Sequence, residues 1–221
     1  MSHDTDRARR RALLALLGAG GGLAGALRLA LAQTAAEGMR QVRGEVTVNG
    51  KPVRVGDAVR PGDTVATGAR SFAAFVVGRD AFLVRDSTRV EIAGGAGADL
   101  LRLITGKLLG VFGAGRPRRL VTPNATIGIR GTGAYLEAEA VRTYFCLCYG
   151  TADVATADGK VKDSYSTTHH ESPRYLYGDG RKDAMTAARV VNHTDAELIM
   201  LEALVGRQPP REVMDSQWPR Y

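Results

Sequence analysis

From Gly44 onwards apolar and polar residues alternate with a period of two, the spacing of strands whose side chains point to opposite faces. Glu45-Val-Thr-Val48 and Lys51-Pro-Val-Arg-Val55 flank Asn49-Gly50, a pair that accepts the positive φ of a type I′ turn, so together they predict a hairpin. The same reading predicts strands over 72–77, 81–84, 88–92, 100–104, 108–112, 120–122 and 134–137. Turn residues at Gly78-Arg-Asp80, Gly94-Gly95, Gly106 and Gly113–Gly115 separate them. Many short strands at this spacing predict a mainly β fold: a sandwich, a roll or a solenoid. Near the end the period changes. Thr194-Asp-Ala-Glu197 has the form of a capping box, and Leu198, Leu201, Leu204 and Val205 fall on one helical face that Gly206 and Pro209-Pro210 bring to a stop. A C-terminal α-helix is expected there.

The first 32 residues do not fit this pattern. Arg9-Arg-Arg11 leads into Ala12-Leu-Leu-Ala-Leu-Leu17, then a glycine-softened apolar run and the small residues around Ala30-Leu31-Ala32. A basic start, an apolar centre and a small-residue end predict a secretory leader over 1–32, cleaved after Ala32. Adjacent arginines ahead of the apolar run resemble the twin-arginine signal, a route that carries folded proteins. The mature chain is therefore expected in the periplasm or outside the cell, and not as an integral membrane protein, because no second apolar run reaches the 20 or so residues that a span needs.

The leader changes how the charge is read. Its five arginines and two aspartates supply +3 of the formal +7, which leaves +4 for the rest. Beyond Arg116-Pro-Arg-Arg119 there is no dense cationic run, and only 6% of the residues are aromatic. A nucleic-acid surface needs clustered cations or stacking rings, so nucleic acid is not an expected partner.

The run Val53-Arg-Val-Gly-Asp-Ala-Val-Arg-Pro-Gly-Asp-Thr-Val-Ala-Thr-Gly68 repeats Gly-Asp at Gly56-Asp57 and Gly62-Asp63. The aspartates suit turns, where a short carboxylate bonds nearby backbone, better than a carboxylate pair for glycoside chemistry. Together with Gly44-Glu-Val-Thr-Val-Asn-Gly50, the alternating strand from Ser71 to Val77, Thr122-Pro123 and Gly128-Ile-Arg-Gly-Thr132, this run resembles the FecR domain, the extracytoplasmic module of the iron-dicitrate transport regulators. The likeness covers roughly residues 42–140 and leaves 141–221 as a C-terminal extension. It implies a β-rich FecR-type fold and an extracytoplasmic binding or signalling role with an envelope protein as partner. Those regulators carry a cytoplasmic anti-sigma segment where a leader is expected here, so the role is expected without anti-sigma action. Binding of envelope polysaccharide rests on fold analogy alone.

Candidate chemistry is concentrated in the extension. Thr143-Tyr-Phe-Cys-Leu-Cys-Tyr-Gly150 has strand composition, which puts Cys146 and Cys148 on one face. Two such thiols suit one soft metal ion or, near the upper limit of reach, a strained disulfide. His169, His170 and His193 all follow the cysteines, and with them a Cys2His2 site for iron, copper or zinc is chemically sensible. Packed core cysteines and loop histidines are the competing reading, with His193 sitting just before the helix cap. Arg130 has two readings as well: a buried guanidinium for a carboxylate ligand, or a turn-locking side chain between glycines. No Gly-x-Ser-x-Gly, His-Glu-x-x-His or Gly-x-x-x-x-Gly-Lys-[Ser/Thr] pattern is present, so the expectation is a non-catalytic protein.

Overall fold

Residues 37–93, 100–115 and 117–216 are described by the computed structural model. The expected leader over 1–32, the Gly94-Gly95 turn and Arg116 lie outside the described residues. Among the described residues, no helix is long and apolar enough to cross a membrane.

The chain is mainly β, as its alternation predicts. Its first strands are β1 (Gly38–Arg43), β2 (Val46–Val48), β3 (Lys51–Pro52), β4 (Thr64–Thr67), β5 (Phe72–Val77), β6 (Asp80–Val84) and β7 (Arg89–Ile92). Then come β8 (Leu100–Val111), β9 (Arg118–Val121), β10 (Ala125–Ala138), β11 (Thr143–Thr156), β12 (Lys162–Thr167), β13 (Arg174–Leu176) and β14 (Met185–Ala187). Two helices close the described chain, α1 (Asp195–Leu204) and α2 (Arg211–Asp215).

Three strands are much longer than the pattern predicts, and they organise the fold. The first half of β8 pairs with β7 and β9, and its second half with β6 and β10. Likewise, β10 and β11 pair with each other along their whole length, while β9 and β12 join one end and β8 and β13 the other. Two layers result. One runs β3-β2-β4-β7-β8-β9-β10-β11-β12 and the other β1-β5-β6-β8-β10-β11-β13-β14.

The strands pass between the layers at glycines. Gly106 was expected to end a strand; instead β8 bends through it with φ +91, and a Cβ there would lie 2.4 Å from the Thr88 Cα. At Gly150, in the middle of β11, φ is +103 and a Cβ would meet Thr132 Cγ2 at 2.4 Å. Positive φ and close backbone approach both require glycine, so these positions turn a strand without breaking its ladder. From the sequence, a bend and a turn look the same.

Two cores follow from the alternation. Between the layers lie Phe75, Phe82, Leu103, Leu108, Ile127, Leu136, Phe145 and Leu147, all buried. On the outer face of the second layer lie Leu83, Leu109, Val111, Tyr135, Tyr144, Cys146 and Cys148, covered by Leu198, Leu201 and Val213 of the helices. Burying each such large apolar side chain contributes about 1.5–3 kcal/mol before entropy is counted. Along β11, Phe145 and Leu147 enter the first core while Tyr144, Cys146 and Cys148 enter the second.

The Gly-Asp repeat does what its residues predict. Asp57 accepts from the Arg54 amide at 2.9 Å, and Asp63 accepts from the Arg60 amide at 2.8 Å and from Asn49 Nδ2 at 2.7 Å. Gly56 and Gly62 supply the positive φ of each turn. The predicted hairpin at Asn49-Gly50 is present, although β3 stops at Pro52.

Candidate metal centre

Cys146 and Cys148 stand two residues apart on β11 with zero exposure, and both are free thiols. Two loops carry histidines to the same spot. The first is Thr168-His-His-Glu171, whose Glu171 carboxylate accepts from the amides of Thr168 at 2.8 Å and His169 at 3.0 Å. These bonds outweigh burial and hold the Glu171 pKa down to about 2. His170, at φ +56, then hydrogen-bonds its amide to the Cys148 carbonyl at 3.0 Å, which fixes the loop against β11. The second loop precedes α1. Thr194 and Glu197 form the expected capping box, and His193 sits just before it, buried at 7% exposure. Its ring stacks on Tyr135 with centroids 4.5 Å apart.

Ligand-type atoms of Cys146, Cys148, His170 and His193 all lie within 4.8 Å of one another. His170 Nδ1 is 3.3 Å from Cys146 Sγ and 3.1 Å from His193 Nε2. The outward nitrogens of both rings are already committed. His193 Nδ1 lies 2.7 Å from the Val191 carbonyl, which can only accept, so that nitrogen carries the proton. His170 Nε2 lies 2.9 Å from Asp195 Oδ1 and donates to it in the same way. Neutral rings therefore turn two lone pairs, on Nδ1 and Nε2, toward each other and toward sulfur.

The electrostatics follow from that crowding. A hydrogen bond from Cys148, with help from His170 and His193, outweighs burial and draws the Cys146 thiol down to about 4. Burial, with the neighbouring Cys146, drives Cys148 the other way, well above the usual thiol range. For His170 burial lowers the pKa, but the bonds to Cys146 and Asp195 prevail and raise it. Asp195 is lowered because its bonds to Ser216, His169 and His170 overcome the cost of burial. A single proton shared between Cys146 Sγ and His170 Nδ1, 3.3 Å apart, relieves part of the lone-pair conflict. The four donor atoms are grouped closely enough that they could hold one metal ion.

The remaining sequence-based candidates fall elsewhere. His169 is not among the four; its Nε2 bonds Asp195 Oδ2 at 2.9 Å and its side chain is 34% exposed. Arg130 is neither buried nor in a turn: its side chain is 74% exposed on β10, and its guanidinium lies 3.9 Å from Asp153 on β11. The sheet bulges just beyond it, with Gly131 at φ +57. Sequence reasoning missed Asp195, which doubles as an acidic first-turn residue of α1 and so looked like ordinary helix chemistry. It also missed Glu202, buried at 3% exposure, which accepts from Tyr149 at 2.5 Å and Arg207 at 2.6 Å and ties α1 to β11.

Cys146, His170 and Asp195 also lie in the order nucleophile, base, orienting carboxylate. Catalysis needs a reacting carbon within reach of sulfur, and Cys146 has no exposed surface. A pocket of about 560 Å³, lined by Val77, Phe82, Phe112, Arg79 and Arg118 among others, includes none of the Cys and His side chains.

No family model matches the chain, and no curated protein matches it. Two crystal structures of a proposed anti-sigma factor from Parabacteroides distasonis are similar to it in backbone. The one at 1.65 Å has a TM-score of 0.48 and 8% identity, covering 56% of this chain and 59% of its own. The one at 2.50 Å has a TM-score of 0.48 and 9% identity, covering 62% of this chain and 71% of its own. The chain thus spans less than two thirds of the first structure's length. Neither likeness says what this chain binds.

Proposed function

We propose that this chain is an exported, non-catalytic protein of the cell envelope that binds one transition-metal ion through Cys146, Cys148, His170 and His193. One observation carries the metal reading. His170 Nδ1 and His193 Nε2 face each other at 3.1 Å beside Cys146 Sγ, while their other nitrogens are held by Asp195 and the Val191 carbonyl. An imidazole oriented by a carboxylate or carbonyl behind it is how proteins present histidine to a metal. When bound, the ion would supply the positive charge that two buried thiolates need.

Elemental analysis of the purified mature chain tests this. We expect about one equivalent of iron, copper or zinc, lost in both Cys146→Ser and His193→Ala while the β-sheet signal in circular dichroism persists. Less than a tenth of an equivalent in the wild-type chain, with the two thiols joined in a disulfide, would overturn it.

The envelope setting and the binding or signalling role rest on sequence. They are supported by the Arg9-Arg10 leader pattern and by the FecR-like run from Gly44 to Gly68 with Thr122-Pro123 and Gly128–Thr132. On this reading a protein of the envelope is the partner and the metal-bearing extension is what distinguishes this chain within that architecture. Replacing Arg9, Arg10 and Arg11 with lysine is expected to leave the precursor in the cytoplasm. Unchanged appearance of mature chain in the periplasmic fraction would remove the twin-arginine part of the proposal.

A further inference from the structure

The metal reading leaves the ion's identity and role open, and four features of the site bear on them together. The first is charge. Two thiolates carry −2 and two neutral imidazoles carry none, so a divalent ion makes a neutral unit, whereas copper(I) leaves −1 and iron(III) leaves +1. The sulfurs have zero exposure and lie among Tyr135, Tyr144, Leu198 and Leu201, where uncompensated charge is costly. The nearest carboxylate, Asp195, is on the far side of the His170 ring and is shared with His169 and Ser216.

The second feature is spacing. An ion about 2.3 Å from sulfur and about 2.0–2.1 Å from nitrogen in tetrahedral array holds its nitrogens about 3.3 Å apart and sulfur to nitrogen about 3.6 Å apart. The observed 3.1 Å and 3.3 Å are within a few tenths of those separations. An octahedral ion would demand two donors beyond these four. The third feature is closure: four protein donors fill a tetrahedral shell, as in structural sites, whereas catalytic sites keep one position for water. The fourth is connectivity. The donors come from β11, from the loop ahead of β13 and from the loop ahead of α1, three segments that no disulfide joins.

We infer that the ion is zinc(II), or a divalent ion that takes its place, in a closed tetrahedral Cys2His2 shell, where it acts as a structural clasp fastening the 168–171 and 189–195 loops to β11. This rests on the metal reading and adds the ion's class and its role. As the ion enters, the two thiols give their protons to solvent and nothing is oxidised or reduced.

Cobalt(II) is the probe for the shell, applied to full mature chain stripped of metal under reducing conditions. We expect one equivalent to bind with the intense visible bands of four-coordinate cobalt and a near-ultraviolet thiolate-to-cobalt transition, and one equivalent of zinc to erase both. Cys148→Ser is expected to lower the charge-transfer band by about half. Hydrogen exchange reads the clasp: chelation should speed exchange of the 168–171 and 189–195 amides by at least tenfold while 100–111 and 125–138 stay protected. A weak six-coordinate cobalt spectrum overturns the inference. So do copper or iron that zinc cannot displace, or unchanged exchange in the two loops. In those three cases metal still binds and the proposed function stands. If cobalt, zinc, copper and iron all fail to bind, both fall.

Discussion

The two cores of this molecule are lined by the same strands yet made of different materials. Between the layers, Phe75, Leu108, Leu136, Phe145 and Leu147 pack without a polar partner among them. On the outer face, Tyr135 bonds Glu137, Tyr144 bonds the Arg189 carbonyl, Tyr149 bonds Glu202, and Cys146 faces His170. Apolar packing is tolerant of which side chain sits where, whereas a buried polar pair accepts one arrangement and is costly if half made. The inner core thus holds the layers together, and the outer one specifies where the extension docks. Sites of chemistry need that second kind of core.

Substitutions can break that contrast or sharpen it. The largest effect is expected from Phe145→Ala in the inner core, at about 3–5 kcal/mol in a urea melt. Both cores should be lost in the same transition; survival of the metal site beyond the loss of sheet signal would show that the outer core stands alone. Glu202→Gln should cost about 2 kcal/mol, since Tyr149 and Arg207 lose a charged acceptor. If the outer core is specified by polar pairing, this variant loosens α1 without altering the inner core, and exchange at 198–204 should rise while that at 125–138 does not. Thr194→Ala removes the cap beside His193 and should cost about 1 kcal/mol. It should also speed metal loss to a chelator, and an unchanged rate would separate the cap from the site. The smallest effect is expected from Arg130→Ala on the exposed sheet surface, less than about 0.5 kcal/mol with metal content unaltered.

Much of the site was legible in the chain. Cys146 and Cys148 share a face because strands alternate, and every histidine after the expected leader follows them. Less visible was that both histidine loops use one device, Thr168-His-His-Glu171 and Thr194-Asp-Ala-Glu197, in which a glutamate folds back onto the amides at the start of its own turn. The second was recognised because an apolar helical face follows it; the first precedes a proline and a short strand, so nothing marked it. Which two of three histidines converge was not legible, because it depends on the register of β11 against the 168–171 loop. The β class was plain from alternation, while the lengths of β8, β10 and β11 were not. Gly106 and Gly150 are written as strand ends, and only the neighbouring backbone reveals them as bends.

Those bends bear on how the molecule comes apart. Because β8, β10 and β11 belong to both layers, no cut between the layers avoids breaking three continuous ladders. One layer cannot melt and leave the other intact, as it could if loops joined them. Unfolding of the described β body should therefore be a single cooperative event, with calorimetric and van't Hoff enthalpies in agreement.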